Sequence, residues 1–182
     1  MIETERLKLI ACDQNHFEAL LEDENKITSL LDAESVEGWL TFPESVPFAY
    51  KMLQENPENR RWGMHIFIHR KDKKIVGSGG FKGAANADGM VEIGYAIAPS
   101  YQNLGLATEA AEAMIDYAFS RSFIKMVDAH TLAEINASTK VLEKCGMRKI
   151  GEKFDEEDGF IWHWRIVRNE FETADKPDRT LG

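Results

Sequence analysis

Three short stretches of the chain carry residues whose types and spacing could do chemistry. The first is Val91-Glu-Ile-Gly-Tyr-Ala-Ile97. Strand alternation sets Val91, Ile93, Tyr95 and Ile97 on one face and Glu92, Gly94 and Ala96 on the other. The second face is small except for one carboxylate, so an extended ligand could lie beside a group able to accept a proton. The second stretch breaks the strand at Pro99-Ser100 and reopens as a turn, Gln102-Asn103-Leu104-Gly105-Leu106-Ala107-Thr108, directly before a helical pattern. Backbone N–H groups of such a turn converge with the positive end of the helix and form a cradle for an anion such as pyrophosphate. Gly105 permits a positive φ or close approach of a ligand, and Asn103 tolerates the left-handed region better than most residues. No Lys or Arg lies between Ser100 and Ala113, so the backbone must do most of the binding. An ordinary strand-to-helix turn is the plain alternative. The third stretch, Asn136-Ala-Ser-Thr-Lys-Val-Leu-Glu-Lys-Cys-Gly146, has Asn136 where an N-cap belongs and Ser138 and Thr139 in the first helical turn.

The run Gln102 to Ala107 resembles the Gln/Arg-x-x-Gly-x-Gly/Ala signature of the GNAT family of N-acetyltransferases, although many relatives carry Gly where this chain has Asn103. The segment from Asn136 to Met147 is similar to the family's Asn-x-x-Ser…Glu-Lys-x-Gly run, with Ser two positions after Asn here. The resemblance covers nearly the whole chain. It implies acetyl-CoA as co-substrate, its pyrophosphate in the cradle from Gln102 to Thr108 and its pantetheine arm on the backbone of Ile97 and Ala98 and on Asn136. It implies Glu92 as the base that deprotonates an amine through water, and a ternary complex without an acyl-enzyme. Trp39 and Phe42 fall in early helices that form one wall of the acceptor groove in this family, although core packing would also explain them. Many relatives protonate the departing thiolate with a Tyr where this chain has Leu142; either Ser138 is the substitute donor, as in the branch acting on ribosomal-protein N-termini, or no acid is required, since a thiol of pKa near 8.5 leaves tolerably as thiolate. The opening Thr4-Glu-Arg-Leu-Lys-Leu-Ile10 and Ala107-Thr-Glu-Ala110 also resemble that branch. The acceptor stays open between a small amine and a protein N-terminus. A CoA-binding sensor without catalysis, or transfer of another acyl group, are the competing readings. The resemblance implies no metal, and it allows a homodimer without marking an interface.

Other signals are weaker. Gly77-Ser-Gly-Gly-Phe-Lys-Gly83 misses the spacing of a dinucleotide fingerprint and reads as a small-residue strand near the substrate. His65 and His69 share a strand face without a third metal ligand and read as structural. Cys145 has no evident base, and Cys12 lies far from it in sequence, so neither a thiol nucleophile nor a disulfide is expected. A formal charge of −9 argues against broad nucleic-acid binding. No apolar run approaches the roughly 20 residues that span a bilayer, and the N-terminus does not read as a signal peptide, so a cytoplasmic protein is expected.

The positioning elements follow from periodicity. Residues 6–12 alternate as a strand, and Asp13 caps a helix reaching Glu22. Residues 24–58 read as interrupted helix, with Ser35 capping residues 36–40 and a second helical piece over residues 48–54. Strands are expected over residues 62–69, 74–81, 91–97, 125–131, 147–154 and 160–168. Helices are expected over residues 107–119, with apolar residues at 110, 111, 114, 115 and 118, and over residues 136–144, ended by Gly146. This order predicts one mixed α/β domain over residues 1–171, a V-split β-sheet flanked by helices, followed by a disordered tail from 172 to 182.

Overall fold

The computed structural model describes residues 1–23 and 26–173. The strands are β1 (Ile2–Glu3), β2 (Leu7–Ala11), β3 (Glu34–Ser35), β4 (Met64–His69), β5 (Lys74–Phe81), β6 (Met90–Ile97), β7 (Met126–Leu132), β8 (Arg148–Asp155) and β9 (Gly159–Val167). The α-helices are α1 (Gln14–Glu22), α2 (Lys26–Leu31), α3 (Ser45–Glu55), α4 (Leu106–Phe119), α5 (Ala137–Lys144) and α6 (Arg168–Thr173). The sheet runs in the order β1-β2-β4-β5-β6-β7-β9-β8, with β3 beside β5.

The joint that matters is β6 against β7. The two strands are parallel and share only three register pairs, Met90 with Met126, Val91 with Val127 and Glu92 with Asp128. Beyond them β6 stays with β5 as far as Ile97 paired with Gly77, while β7 stays with β9 through Leu132 paired with Ile161. The sheet is therefore split into a V, as expected. On one face α4 and α5 cover the split sheet. Ala110, Ala111, Met114, Ile115 and Ala118 of α4 are buried with Val91, Ile93, Val127 and Leu142. On the other face α1, α2 and α3 enclose Phe17, Ile27, Val46, Ile66 and Ile75 around Trp39. Each fully buried Val, Leu, Ile, Phe or Met among them contributes roughly 1.5–3 kcal/mol. These two cores hold the halves of the V in place.

Local chemistry explains both the agreements and the departures. Asp13 caps α1 and His16 answers from the third helical position, so the helix starts where expected. Ser35 does not cap a helix. It pairs with Ile75 in β3, and the Val36 N–H then donates to the Ile75 carbonyl, which leaves residues 36–40 as a turn. α3 begins at Ser45 rather than at 48, because Pro47 stands in the first turn, where its missing N–H has no intrahelical partner to lose. Residues 57–62 form a 3₁₀ turn, so β4 begins at Met64 instead of 62. Gly77 and Gly79 serve contact between β5 and β6: a Cβ on either would lie 2.3 or 2.4 Å from the Ala96 or Gly94 carbonyl. Glu172 does not open a tail; it closes α6, paired with Arg168 at 3.1 Å. Residues 24–25 and 174–182 lie outside the described residues. Among the described residues no helix is long and apolar enough to cross a membrane.

Candidate active site

The turn before α4 has the conformation its residues allow. Asn103 takes φ 62° and Gly105 takes φ 78°, both left-handed. Gly105 stands at the N-cap of α4 and no side chain caps the helix. The N–H groups of the first turn, Leu106 to Thr108, therefore point out of the helix without an intrahelical acceptor. Gln102 turns back, its amide donating to the Ile97 carbonyl at 3.0 Å, and so ties the cradle to the end of β6. Leu104 is half exposed at the rim, while Leu106 is anchored in the core.

A cation does reach the cradle, from a segment the local sequence around Gly105 could not reveal. Arg6, just before β2, donates from Nη1 to the Leu104 carbonyl at 2.7 Å. Its Nε donates to Glu109 Oε2 at 2.6 Å, and Glu109 Oε1 accepts the Arg6 N–H at 2.7 Å and the Thr4 hydroxyl at 2.5 Å. Burial pushes the Glu109 carboxyl up, but these donors outweigh it and hold it below the usual carboxylate range.

At the mouth of the split, β6 presents its edge. The Glu92 carbonyl and Ala98 N–H turn toward β5, accepting from Lys82 and donating to Val76 at 2.9 and 2.8 Å. By alternation the N–H and carbonyl groups of Tyr95 and Ile97 turn into the split. Of the two backbone positions expected to hold a pantetheine arm, Ile97 faces the opening. The Ala98 N–H does not: the sheet ladder already uses it.

The two faces of the split carry different polar groups. On the face covered by α5, the Tyr95 hydroxyl lies 3.3 Å from Ser138 Oγ and donates to the Ser138 carbonyl at 3.4 Å. Burial pushes the Tyr95 phenol well above its usual range, so it stays protonated. Asn136 caps α5 and accepts the Thr139 N–H, while the Thr139 hydroxyl answers the Asn136 N–H. Leu142 packs in the core and offers no polar atom to the split.

On the opposite face Glu92 is not alone. Its Oε1 accepts from Lys82 Nζ at 2.5 Å and from His130 Nδ1 at 2.9 Å. Burial raises its pKa, but the Lys82 ammonium and His130 outweigh that and hold the carboxyl below its ordinary value. The His130 ring stacks on His163 at 4.6 Å and 16°. His163 Nε2 lies 2.6 Å from Asp128 Oδ2, and Arg165 grips the same carboxylate from Nε and Nη2 at 2.7 and 2.8 Å. The strand registers Glu92–Asp128, His130–His163 and Asp128–Arg165 bring these groups onto one face. Sequence reasoning missed Lys82, His130 and His163. The only local trace is that Asp128 and His130 alternate onto one face of a strand. Among the described residues no three His, Cys, Asp or Glu are placed to hold a metal ion.

The two residues expected on the acceptor wall part ways. Trp39 is 3% exposed and belongs to the core beneath α1–α3, because the turn at 36–40 folds it inward. It is a packing residue in this structure. Phe42 is 55% exposed. The turn they sit on approaches the end of β6, where a Cβ on Gly38 would lie 3.0 Å from Pro99 Cδ. His65 is a core residue: burial holds its imidazole down, to a pKa of about 4.

A family model for the acetyltransferase (GNAT) domain matches residues 6–148, which contain the cradle, the split and both capped helices. The chain belongs to the GNAT acetyltransferase family. An uncharacterized N-acetyltransferase of Bacillus subtilis, YjdG, is 30% identical over 148 residues, or 80% of this chain and 88% of that protein. In fold the chain is similar to the spermidine/spermine N-acetyltransferase SpeG of Vibrio cholerae, with a TM-score of 0.68 and 16% identity over 95% of this chain and 100% of that one. It is similar too to the ribosomal-protein-S5-alanine acetyltransferase of Vibrio fischeri, with a TM-score of 0.66 and 18% identity over 96% and 98%. The GNAT protein described here is thus an acetyl-CoA-dependent N-acetyltransferase. Its own residues fit that co-substrate: an uncapped helix start with two left-handed residues before it, beside a strand edge opened by the split.

Proposed function

We propose that this protein transfers the acetyl group of acetyl-CoA to a primary amine by direct attack within a ternary complex. The observation that carries the reading is the split itself, with an anion cradle at one end and different proton-handling groups on its two faces. The cradle from Gln102 to Thr108 holds the pyrophosphate. The arm runs along the Tyr95–Ile97 edge past Asn136, and the thioester lies in the split. The amine enters beneath the turn that carries Phe42. Glu92, kept ionised on the acceptor side of the split, supports loss of a proton from the ammonium form of the acceptor. Ser138, braced by Tyr95, donates to the departing thiolate in place of the phenol that Leu142 lacks. A thiol of ordinary pKa about 8.5 needs little more help than that.

The acceptor is an amine of either size class, a small molecule or a protein N-terminus. Of the two structural relatives above, one is named for polyamines and the other for an alanine of a ribosomal protein, and the fold alone does not choose between them. Similarity of the Thr4–Ile10 opening and of Ser138 to the ribosomal-protein branch favours an α-amine, which also needs the weaker base, since its pKa is about 7.7–8.0 against about 10.4 for a lysine.

The test follows CoA release from acetyl-CoA with a thiol reagent across N-terminal peptides, amino acids, polyamines and other amines, for the native chain and Glu92→Gln. The expected result is release that requires one amine class and falls at least tenfold in Glu92→Gln. Acetyl-CoA that binds, measured by calorimetry, yet is never released by any amine would overturn the amine acceptor.

A further inference from the structure

We infer that His130 is the immediate proton acceptor for the amine and that Glu92 acts by orienting it. The inference rests on the amine-transfer reading above and names the base within it. Glu92, held ionised, can only accept hydrogen bonds, so His130 Nδ1 must be the donor in their 2.9 Å contact. That fixes the neutral ring as the Nδ1–H tautomer and leaves its basic lone pair on Nε2. His130 lies two residues beyond Asp128 on β7, as Gly94 lies two beyond Glu92 on β6, past the last register pair where the strands part. There is room at that level: a Cβ added to Gly94 meets, within 4 Å, only Lys82 Cε at 3.9 Å among the described residues.

Charged groups from the neighbouring strands surround the ring. From β6 Glu92 faces it, shared with Lys82 at the end of β5. From β9 His163 stacks on it, bound to Asp128 of β7, whose charge Arg165 already neutralises with two hydrogen bonds. Two stacked rings 4.6 Å apart repel if both are charged. In the reaction, His130 Nε2 takes a proton from R–NH3⁺. The amine lone pair then forms the N–C bond to the thioester carbonyl. The tetrahedral adduct collapses and the C–S bond breaks; the nitrogen's second proton reaches the departing CoA thiolate by way of the Ser138 hydroxyl, which gives up one proton and regains the other. His130 then releases its own proton to solvent.

The experiment has two arms. In the first, pH–kcat profiles are measured for the native chain, His130→Gln and Glu92→Gln with the best acceptor. His130→Gln should lose on the order of 100-fold in kcat near pH 7 and lose the imidazole limb of the profile, with KM for acetyl-CoA unchanged. Glu92→Gln should lower kcat by less than His130→Gln does, because the ring keeps its accepting nitrogen and loses only the group that orients it. A His130→Gln chain with native kcat and the native acid limb would overturn the assignment. In the second arm, ¹⁵N NMR of the imidazoles reads the tautomer of His130 without any turnover. The Nδ1–H form is expected, and the Nε2–H form overturns the assignment. Native chain that shows the Nδ1–H form yet acetylates no amine would overturn the amine-transfer reading on which the role depends.

Discussion

Two helices point their N-termini toward the split sheet, and they are finished in opposite ways. α5 closes its own end: Asn136 accepts the Thr139 N–H, and Thr139 answers the Asn136 N–H. α4 leaves its end open, with Gly105 in the capping position, no side-chain acceptor, and a left-handed Asn103 that turns the loop away. A capped end is locally content and serves stability, worth about 1 kcal/mol. An uncapped end forgoes that gain and keeps its N–H groups available to an anion from outside. The difference teaches that a helix end left without a partner of its own is where an outside anion is to be sought. Arg6 strengthens the contrast. It binds the last carbonyl of the α4 loop and the Glu109 carboxylate one turn up, fixing the loop without filling it.

The sharpest way to break this comparison is to fill the open end. Gly105→Arg places a side chain on a residue at φ 78°, which strains the backbone by about 1–2 kcal/mol, and obstructs the N–H groups. Acetyl-CoA affinity by calorimetry should fall by on the order of 100-fold, combining that strain with lost charge-assisted hydrogen bonds. Affinity within threefold of native would mean that α4 is not the phosphate site. Next in size, Arg6→Gln frees the Leu104 carbonyl and removes the Arg6 cation from the loop, and acetyl-CoA should bind about tenfold more weakly, or about 1.4 kcal/mol. The closed end is expected to respond differently. Asn136→Ala removes the cap and should lower Tm by about 2–4 °C in a chain of this size. Asn136→Asp keeps the cap but deletes the amide donor, so it should melt like the native chain while its KM for acetyl-CoA rises several-fold. If Asn136→Asp leaves KM unchanged, Asn136 is a cap and no more.

What could be read in advance divides along the same line. The open cradle was legible because every part of it is local: a strand that breaks at Pro99, a glycine at 105, and apolar spacing at 110, 111, 114, 115 and 118 within twenty residues. Asp13 and Asn136 were legible as caps for the same reason. The face that carries Glu92 was only partly legible. Glu92 stood out on its small-residue face, but its partner His130 is 38 residues away and joins it only through the parallel pairing of β6 with β7. Arg6 reaches Leu104 across 98 residues, and Tyr95 reaches Ser138 across 43. Parallel strands joined by a crossover helix carry no turn that fixes register in the sequence, so no local signal announces which side chains will meet. Residues 36–40 misled for a different reason. Ser35 is as good a cap as a strand residue is a poor one, and its pairing with Ile75 in a distant strand overrode that preference.

The smallest expected effect probes what the open end costs the fold when acid is added. Glu109 is held below the ordinary carboxylate pKa by Thr4, the Arg6 N–H and the Arg6 guanidinium, acting against its burial. A carboxyl with a lower pKa folded than unfolded contributes stability that is full above the unfolded value of about 4.3. That contribution is lost as pH falls through the folded value, because both states then hold the proton. Glu109→Gln should therefore be less stable than the native chain at neutral pH. Arg6 is 41% exposed in this pair, so the loss should be no more than about 1 kcal/mol. The gap in urea midpoint should narrow steadily as pH drops below 4.3. A gap that stays constant down to pH 3 would show that Glu109 holds Arg6 by geometry rather than by charge. Because Arg6 carries the loop, the same variant should weaken acetyl-CoA binding, but by less than Arg6→Gln does. The order Gly105, Arg6, Glu109 is then the order in which distance from the open N–H groups dilutes each residue's hold on the cradle.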